Sequence, residues 1–254
     1  MANLNGKVAL VTGSSRGIGA EVVRQLAAKG ASVFLTSNEE QQVLDEAAAK
    51  LTRDIAGAQV AAGSFDLCEE KDMKALVAAC LKRFGTIDIL VNNAAIRIRK
   101  PFGEFSADDF DQVIAVNLRA PFLLGQEVAN LMKSKNGGRI INIASQMASI
   151  AEQNLTIYGL SKAALVHLGM SMAFELAPHG IMVNTVSPGP TMTEYNVERT
   201  TAHPEYKEHK LRYLRSGRYC EPREIAEVVT FLATTSATNI QGHNLIVDGG
   251  YVIH

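Results

Sequence analysis

Tyr158 and Lys162 stand four residues apart in a stretch of helical spacing, which puts both side chains on one helix face on successive turns. A free tyrosine has a pKa of about 10, too high for a base at neutral pH. A neighbouring ammonium favours the phenolate, so the pair can take a proton from an oxygen or return one to it. Ser145 follows a strand-like apolar run and offers a hydroxyl that can donate to the same oxygen. Such a set suits an alcohol being oxidised or a carbonyl being reduced. Singly, each residue is ordinary: a Tyr four before a Lys commonly decorates a surface, and a Ser after a strand commonly caps a turn.

A second stretch supplies what such an oxidation needs. Thr12-Gly13-Ser14-Ser15-Arg16-Gly17-Ile18-Gly19 lies between a strand-like run and a helical one. Glycines let the backbone turn tightly and come close to a pyrophosphate, and a helix N-terminus offers it free N–H groups and partial positive charge. The spacing is Gly-x-x-x-Gly-x-Gly, and the strand before and helix after give it the context of a dinucleotide site. The second strand ends in Thr36-Ser37-Asn38, with acids only at Glu39 and Glu40. A carboxylate at the strand end would accept from the ribose 2′-hydroxyl of NAD. Small hydroxyl and amide donors suit a 2′-phosphate better, and Arg16 can balance its charge, so NADP is the expected cofactor and NAD the alternative.

These groups need a scaffold. Apolar runs at 8–11, 32–35, 59–62, 87–91, 139–143, 181–186 and 244–247 read as strands. Segments of helical length and spacing lie among them, at 17–29, 39–53, 69–84, 107–133 and 156–177. Strand, helix, strand in repetition implies an α/β fold, a Rossmann-like doubly wound sheet of about seven parallel strands with helices on both faces. No linker divides the chain, so residues 1–254 are expected to form one domain. The polar and aromatic interval 190–218 breaks the rhythm. It follows a strand end, where open α/β sheets bind ligands, and reads as a substrate lid or as a solvated excursion.

Composition excludes several functions. The 25 Lys and Arg residues balance 26 Asp and Glu, so nothing attracts nucleic acid or an anionic membrane. Cys68, Cys80 and Cys220 make no disulfide framework and no metal-ligand spacing, so no metal is expected. No uncharged apolar stretch is long enough to span a bilayer. The first strand begins almost at once, leaving no room for a signal peptide, and a cytoplasmic location is expected. The 156–177 segment is apolar well beyond one face, with only His167, Ser171 and Glu175 as a polar strip. A monomer would expose that surface, so a homo-oligomer is expected.

Further motifs follow the glycine-rich turn in order: Asn92-Asn93-Ala94, Asn117, Ser145, Tyr158-x-x-x-Lys162, Pro188-Gly189 and Val247-Asp248-Gly249-Gly250. The whole chain thereby resembles the short-chain dehydrogenase/reductase family. The resemblance implies a seven-stranded Rossmann-like domain, usually a tetramer, that moves a hydride between a nicotinamide cofactor and an alcohol or ketone. It implies catalytic roles for Asn117, Ser145, Tyr158 and Lys162. Lys162 would also hold the nicotinamide ribose, and Asn117 would order a water leading from Lys162 to solvent. It implies a cofactor site of Gly13, Ser15, Arg16, Gly17, Ile18, Gly19, Ser37, Asn38, Asp66, Leu67, Asn93, Ala94, Pro188, Gly189 and Thr191, together with Tyr158 and Lys162. Asp66 is alternatively the N-cap of the helix from 69. The chain departs from the family at Ala95, where glycine is usual and a methyl fits only at negative φ, and at Leu160, a large residue where a small one is preferred.

The segment Asn93-Ala94-Ala95-Ile96-Arg97-Ile98-Arg99-Lys100-Pro101-Phe102 resembles sugar-acid dehydrogenases of that family, such as gluconate 5-dehydrogenases. In an extended chain Arg97 and Arg99 project to one side and would suit a carboxylate or polyhydroxylated substrate; a solvated basic loop is the plain alternative. A polyol, sugar or sugar acid is therefore expected, a 3-oxoacyl-thioester reductase is the rival, and a catalytically silent cofactor-binding protein is the remote one.

Overall fold

The computed structural model describes residues 3–253. Seven strands form one parallel sheet: β1 (Val8–Thr12), β2 (Ser32–Ser37), β3 (Val60–Ser64), β4 (Ile89–Asn92), β5 (Gly138–Ile143), β6 (Ile181–Pro188) and β7 (Asn244–Val247). Their order is β3-β2-β1-β4-β5-β6-β7. Alternation along each strand divides the core. Ala9 and Val11 face one layer while Val8 and Leu10 face the other. The first layer is covered by α1 (Gly17–Ala28), α2 (Gln41–Asp54) and a helix at Pro222–Thr234; the second by α3 (Glu70–Phe84) and helices at Ala120–Ser134 and Thr156–Leu176. The order reverses between β1 and β4, so the carboxyl ends of these strands open a crevice, the usual ligand position of such sheets.

The helix expected over 107–133 is not continuous. It divides into α4 (Ala107–Ile114), a π-helical turn (Ala115–Arg119) and α5 (Ala120–Ser134). Ser106 and Asp109 close a reciprocal capping box that starts α4. Pro121, near the start of α5, has no N–H for the Asn117 carbonyl four residues back, which interrupts the α-helical ladder there. Beyond α6 (Thr156–Leu176), the interval 190–218 is more ordered than a surface excursion. It holds α7 (Glu194–Ala202) and α8 (Pro204–Leu211), followed by α9 (Pro222–Thr234). No helix among the described residues is long and apolar enough to cross a membrane.

Candidate active site

The glycine-rich turn is held by backbone conformation and by Asn93. Gly13 lies at φ +60°, and a Cβ there would stand 2.7 Å from the Ala94 Cα. Only glycine tolerates both the left-handed backbone and that approach. The Asn93 amide donates to the carbonyls of Thr12 (2.9 Å) and Gly13 (2.7 Å), so its side chain fastens the turn to β4. Gly17 and Gly19 open α1 within the same turn. Ala95 causes no strain, because the only non-glycine residues with positive φ among those described are Asn136 and Asn154.

A cleft of about 320 Å³ runs along this turn. It gathers Ser15, Arg16 and Ile18 with Ser37 and Asn38 from the end of β2, and with Asp66, Leu67 and Ala94. Glu39 joins them, its carboxylate 3.4 Å from Arg16 and 3.4 Å from the Ser37 hydroxyl. Asp66 is not the helix cap. The N-cap of α3 is Glu69, while Asp66 accepts from the Cys68 N–H at 2.9 Å in a local turn.

The cleft continues into a second cavity of about 400 Å³ whose lining includes Ser145, Tyr158, Lys162, Pro188, Gly189 and Thr191. Ser145 accepts from the Met147 N–H at 3.1 Å, and its side chain lies close enough to the Tyr158 phenol to lower its pKa. The Lys162 ammonium lies 5.8 Å from the Tyr158 ring centroid and donates to the Ile143 carbonyl at 2.8 Å. Lys162 is 1% exposed, and burial pushes its pKa down to about 7. Burial also raises Tyr158; the charge of Arg97, the Ser145 side chain and the charge of Arg99 oppose that rise. Lys162 was expected to be the charge favouring the phenolate. The charges of Arg97 and Arg99 favour the phenolate too, while burial disfavours the charge of Lys162.

Asn117, in the π-helical turn, is completely buried. It bridges the backbone N–H and carbonyl of Ile96 (2.9 and 3.0 Å) and donates to the Ser161 hydroxyl at 3.0 Å. It thus ties the segment after β4 to α6 one residue from Lys162. Leu160 is half exposed, turned away from the reacting groups, and does not crowd them.

The two arginines of the 93–102 segment part company. Arg97 stands over the rings of Tyr195 (4.6 Å) and Tyr158 (5.8 Å). Arg99 instead pairs with Glu152 at 3.1 Å. The same carboxylate bonds Lys210 of α8, whose ammonium also donates to the Tyr251 hydroxyl at 3.1 Å. Glu152, Lys210 and Tyr206 therefore join the 190–218 interval to the loop after β5. Sequence reasoning missed them. Glu152 and Lys210 are single charges in unremarkable surroundings, and only the fold brings positions 99, 152 and 210 together.

A glycine-rich crevice at the sheet reversal, opening onto a Ser–Tyr–Lys centre, defines a dinucleotide-binding enzyme of the alcohol–ketone type. A family model described as enoyl-(acyl carrier protein) reductase matches residues 13–252. The chain is 34% identical to gluconate 5-dehydrogenase of Gluconobacter oxydans over 99% of its length and 96% of the relative. It is 35% identical to 3-oxoacyl-(acyl-carrier-protein) reductase of Vibrio cholerae over 98% of both chains. A crystal structure of a gluconate 5-dehydrogenase from Burkholderia cenocepacia, in complex with NADP and tartrate, superposes with a TM-score of 0.92 at 32% identity, covering 99% of this chain and 97% of that one. The chain belongs to the short-chain dehydrogenase/reductase family.

Proposed function

We propose that the protein is an NADP-dependent oxidoreductase interconverting a secondary alcohol and a ketone on a polyol, sugar or sugar acid. The observation that carries this is the gathering of Ser145, Tyr158 and buried Lys162 in one cavity at the mouth of the glycine-lined cleft. The Gly13 backbone at φ +60°, closed against Ala94, leaves a cradle that suits a pyrophosphate. Gly13, Ser15, Arg16, Gly17, Ile18 and Gly19 would hold the pyrophosphate end, with Ser37 and Asn38 at the 2′-phosphate. Asp66, Leu67, Asn93 and Ala94 would line the adenosine side, and Pro188, Gly189 and Thr191 the nicotinamide side. The bound nicotinamide supplies the hydride acceptor or donor. Ser145 orients the substrate oxygen, Tyr158 holds or takes its proton, and Lys162 binds the ribose hydroxyls. Asn117 fixes the backbone at Ile96 and the water path from Lys162.

The NADP complex of the Burkholderia relative supports the cofactor, and the names of the gluconate dehydrogenases support the substrate class. Residues 190–218 serve as a substrate lid, tied down by the Glu152–Lys210 pair. A cytoplasmic homotetramer is the assembly proposed. The exposed apolar side chains of Leu160, Met170 and Phe174 on α6 support association, and the free cysteines accord with a reducing compartment. The test is nicotinamide absorbance during incubation with sugar acids, polyols and 3-oxoacyl thioesters, each with both cofactors. Turnover of a sugar acid or polyol is expected. Turnover of thioesters alone would overturn the substrate reading in favour of the carrier-protein reductase, and no turnover at all would overturn the enzyme reading.

A further inference from the structure

Two of the buried donors without a hydrogen-bond partner among the described residues lie in adjoining cavities: the Tyr219 hydroxyl in that of Tyr158, and Arg199 Nη1 in a neighbouring one that shares Glu152, Tyr206 and Lys210 with it. Buried polar groups are almost always paired, so such atoms ask for an acceptor. Tyr219 lines the cavity of Tyr158 and is 6% exposed. Burial pushes its phenol up to about 12, so at neutral pH it keeps its proton as a donor. Arg199 lies close enough for its charge to act on Tyr219. It belongs to α7, and its guanidinium stacks 3.7 Å from the Tyr206 ring, which fixes its plane.

The charge balance points the same way. Arg99 and Lys210 share the single carboxylate of Glu152. Arg97 and Arg199 are held by aromatic rings and make no ion pair among the described residues. The two adjoining cavities together are therefore lined by an excess of cations, with Glu152 and Glu205 as their carboxylates. An excess of that kind is poorly used on a neutral polyol and well used on an anion. One guanidinium N–H and one phenol O–H also match the two oxygens of a planar carboxylate.

We propose that Arg199 and Tyr219 bind the carboxylate of the substrate, so that the 190–218 segment distinguishes hydroxy acids from neutral polyols. This rests on the oxidoreductase reading above and specifies its substrate class. Tyr206 acts here as a positioning residue for Arg199.

The experiment is steady-state kinetics with D-gluconate, its uncharged amide D-gluconamide, and sorbitol 6-phosphate. The wild type is expected to favour gluconate over gluconamide by at least tenfold in kcat/KM. Arg199→Gln should cut that ratio at least tenfold, mainly through the KM for gluconate, and Tyr219→Phe severalfold. Arg199→Lys should retain part of it. A ratio measured on one preparation is independent of the fraction folded, so a poorly folding variant still reports. An unchanged ratio in Arg199→Gln and Tyr219→Phe overturns the inference, and so does a wild-type preference for the phosphate ester. Failure of the oxidoreductase reading would look different: no turnover of any of the three, nor of acyl thioesters, by the wild type.

Discussion

The Arg97 guanidinium stands 5.8 Å from the centre of the Tyr158 ring, and its charge is the largest influence opposing the rise that burial imposes on that phenol. Alcohol oxidation needs the phenolate, so its rate should climb with pH as Tyr158 ionises. Removing a cation raises the pKa, so Arg97→Gln should move the rising limb of the kcat/KM profile to higher pH. Tyr158→Phe should lower turnover by about 10²–10⁴-fold, the usual range for a general acid–base group, while cofactor binding by fluorescence titration stays near normal. A limb that does not move in Arg97→Gln would show that the arginine acts on substrate alone.

Lys162 makes the site costly to fold. Its pKa in the folded protein is about 7, against an ordinary 10.5. Between those values the unfolded chain holds a proton that the folded chain has released. Wild-type stability from this group therefore rises as pH goes from 7 towards 10.5, and is lost again as pH falls through that window. Lys162→Met has no such dependence. Denaturation at a series of pH values should show the variant's stability, relative to wild type, declining by up to about 1.4 kcal/mol per pH unit across the window. A constant difference would mean that the ammonium is not desolvated.

Arg16 and Glu39 face the same cleft 3.4 Å apart, which sets up opposite expectations for the two. Arg16→Ala should reduce the preference for NADP over NAD, since the cation facing a 2′-phosphate is gone. Glu39→Gln should increase it, by freeing Arg16 and removing a repelling carboxylate. Severalfold changes in the ratio of kcat/KM for the two cofactors are expected. If NAD is the better substrate of the wild type, the preference is refuted.

Phe174 on α6 is 86% exposed, an unusual position for a side chain of that size and apolarity. If α6 lies at a subunit interface, Phe174→Glu would bury a charge there. Light scattering should show the wild type as a tetramer and the variant as a smaller species. A monodisperse wild-type monomer would rule out the assembly.

The strands, their parallel arrangement and the Tyr158–Lys162 pair were legible because each leaves a local signature: apolar runs between helical stretches, glycines at a strand end, a spacing of four. Ala95 and Leu160, departures from the family pattern, proved harmless for reasons of φ and exposure that a sequence does not state. Contacts across the fold were not legible. Glu152 meets Arg99 and Lys210, 53 and 58 residues away, with no periodicity to announce it. The contribution of Arg97 was hidden for a related reason. Spacing puts Lys162 beside Tyr158, but only the fold shows that the lysine is buried, and only the path of the 93–102 segment brings Arg97 over the ring.

The wide turn at Ala115–Arg119 also has a phase. Each residue of an α-helix advances the chain by about 100°, and a π turn accommodates one residue beyond the α-helical count. The bulge absorbs that residue locally, so α4 and α5 keep the phase of one continuous helix. Leu124, Val128 and Met132 thereby stay fully buried, while Asn117, inside the bulge, reaches the backbone of Ile96. The extra residue therefore serves the placement of Asn117 and leaves the packing of α5 as a regular helix would have it.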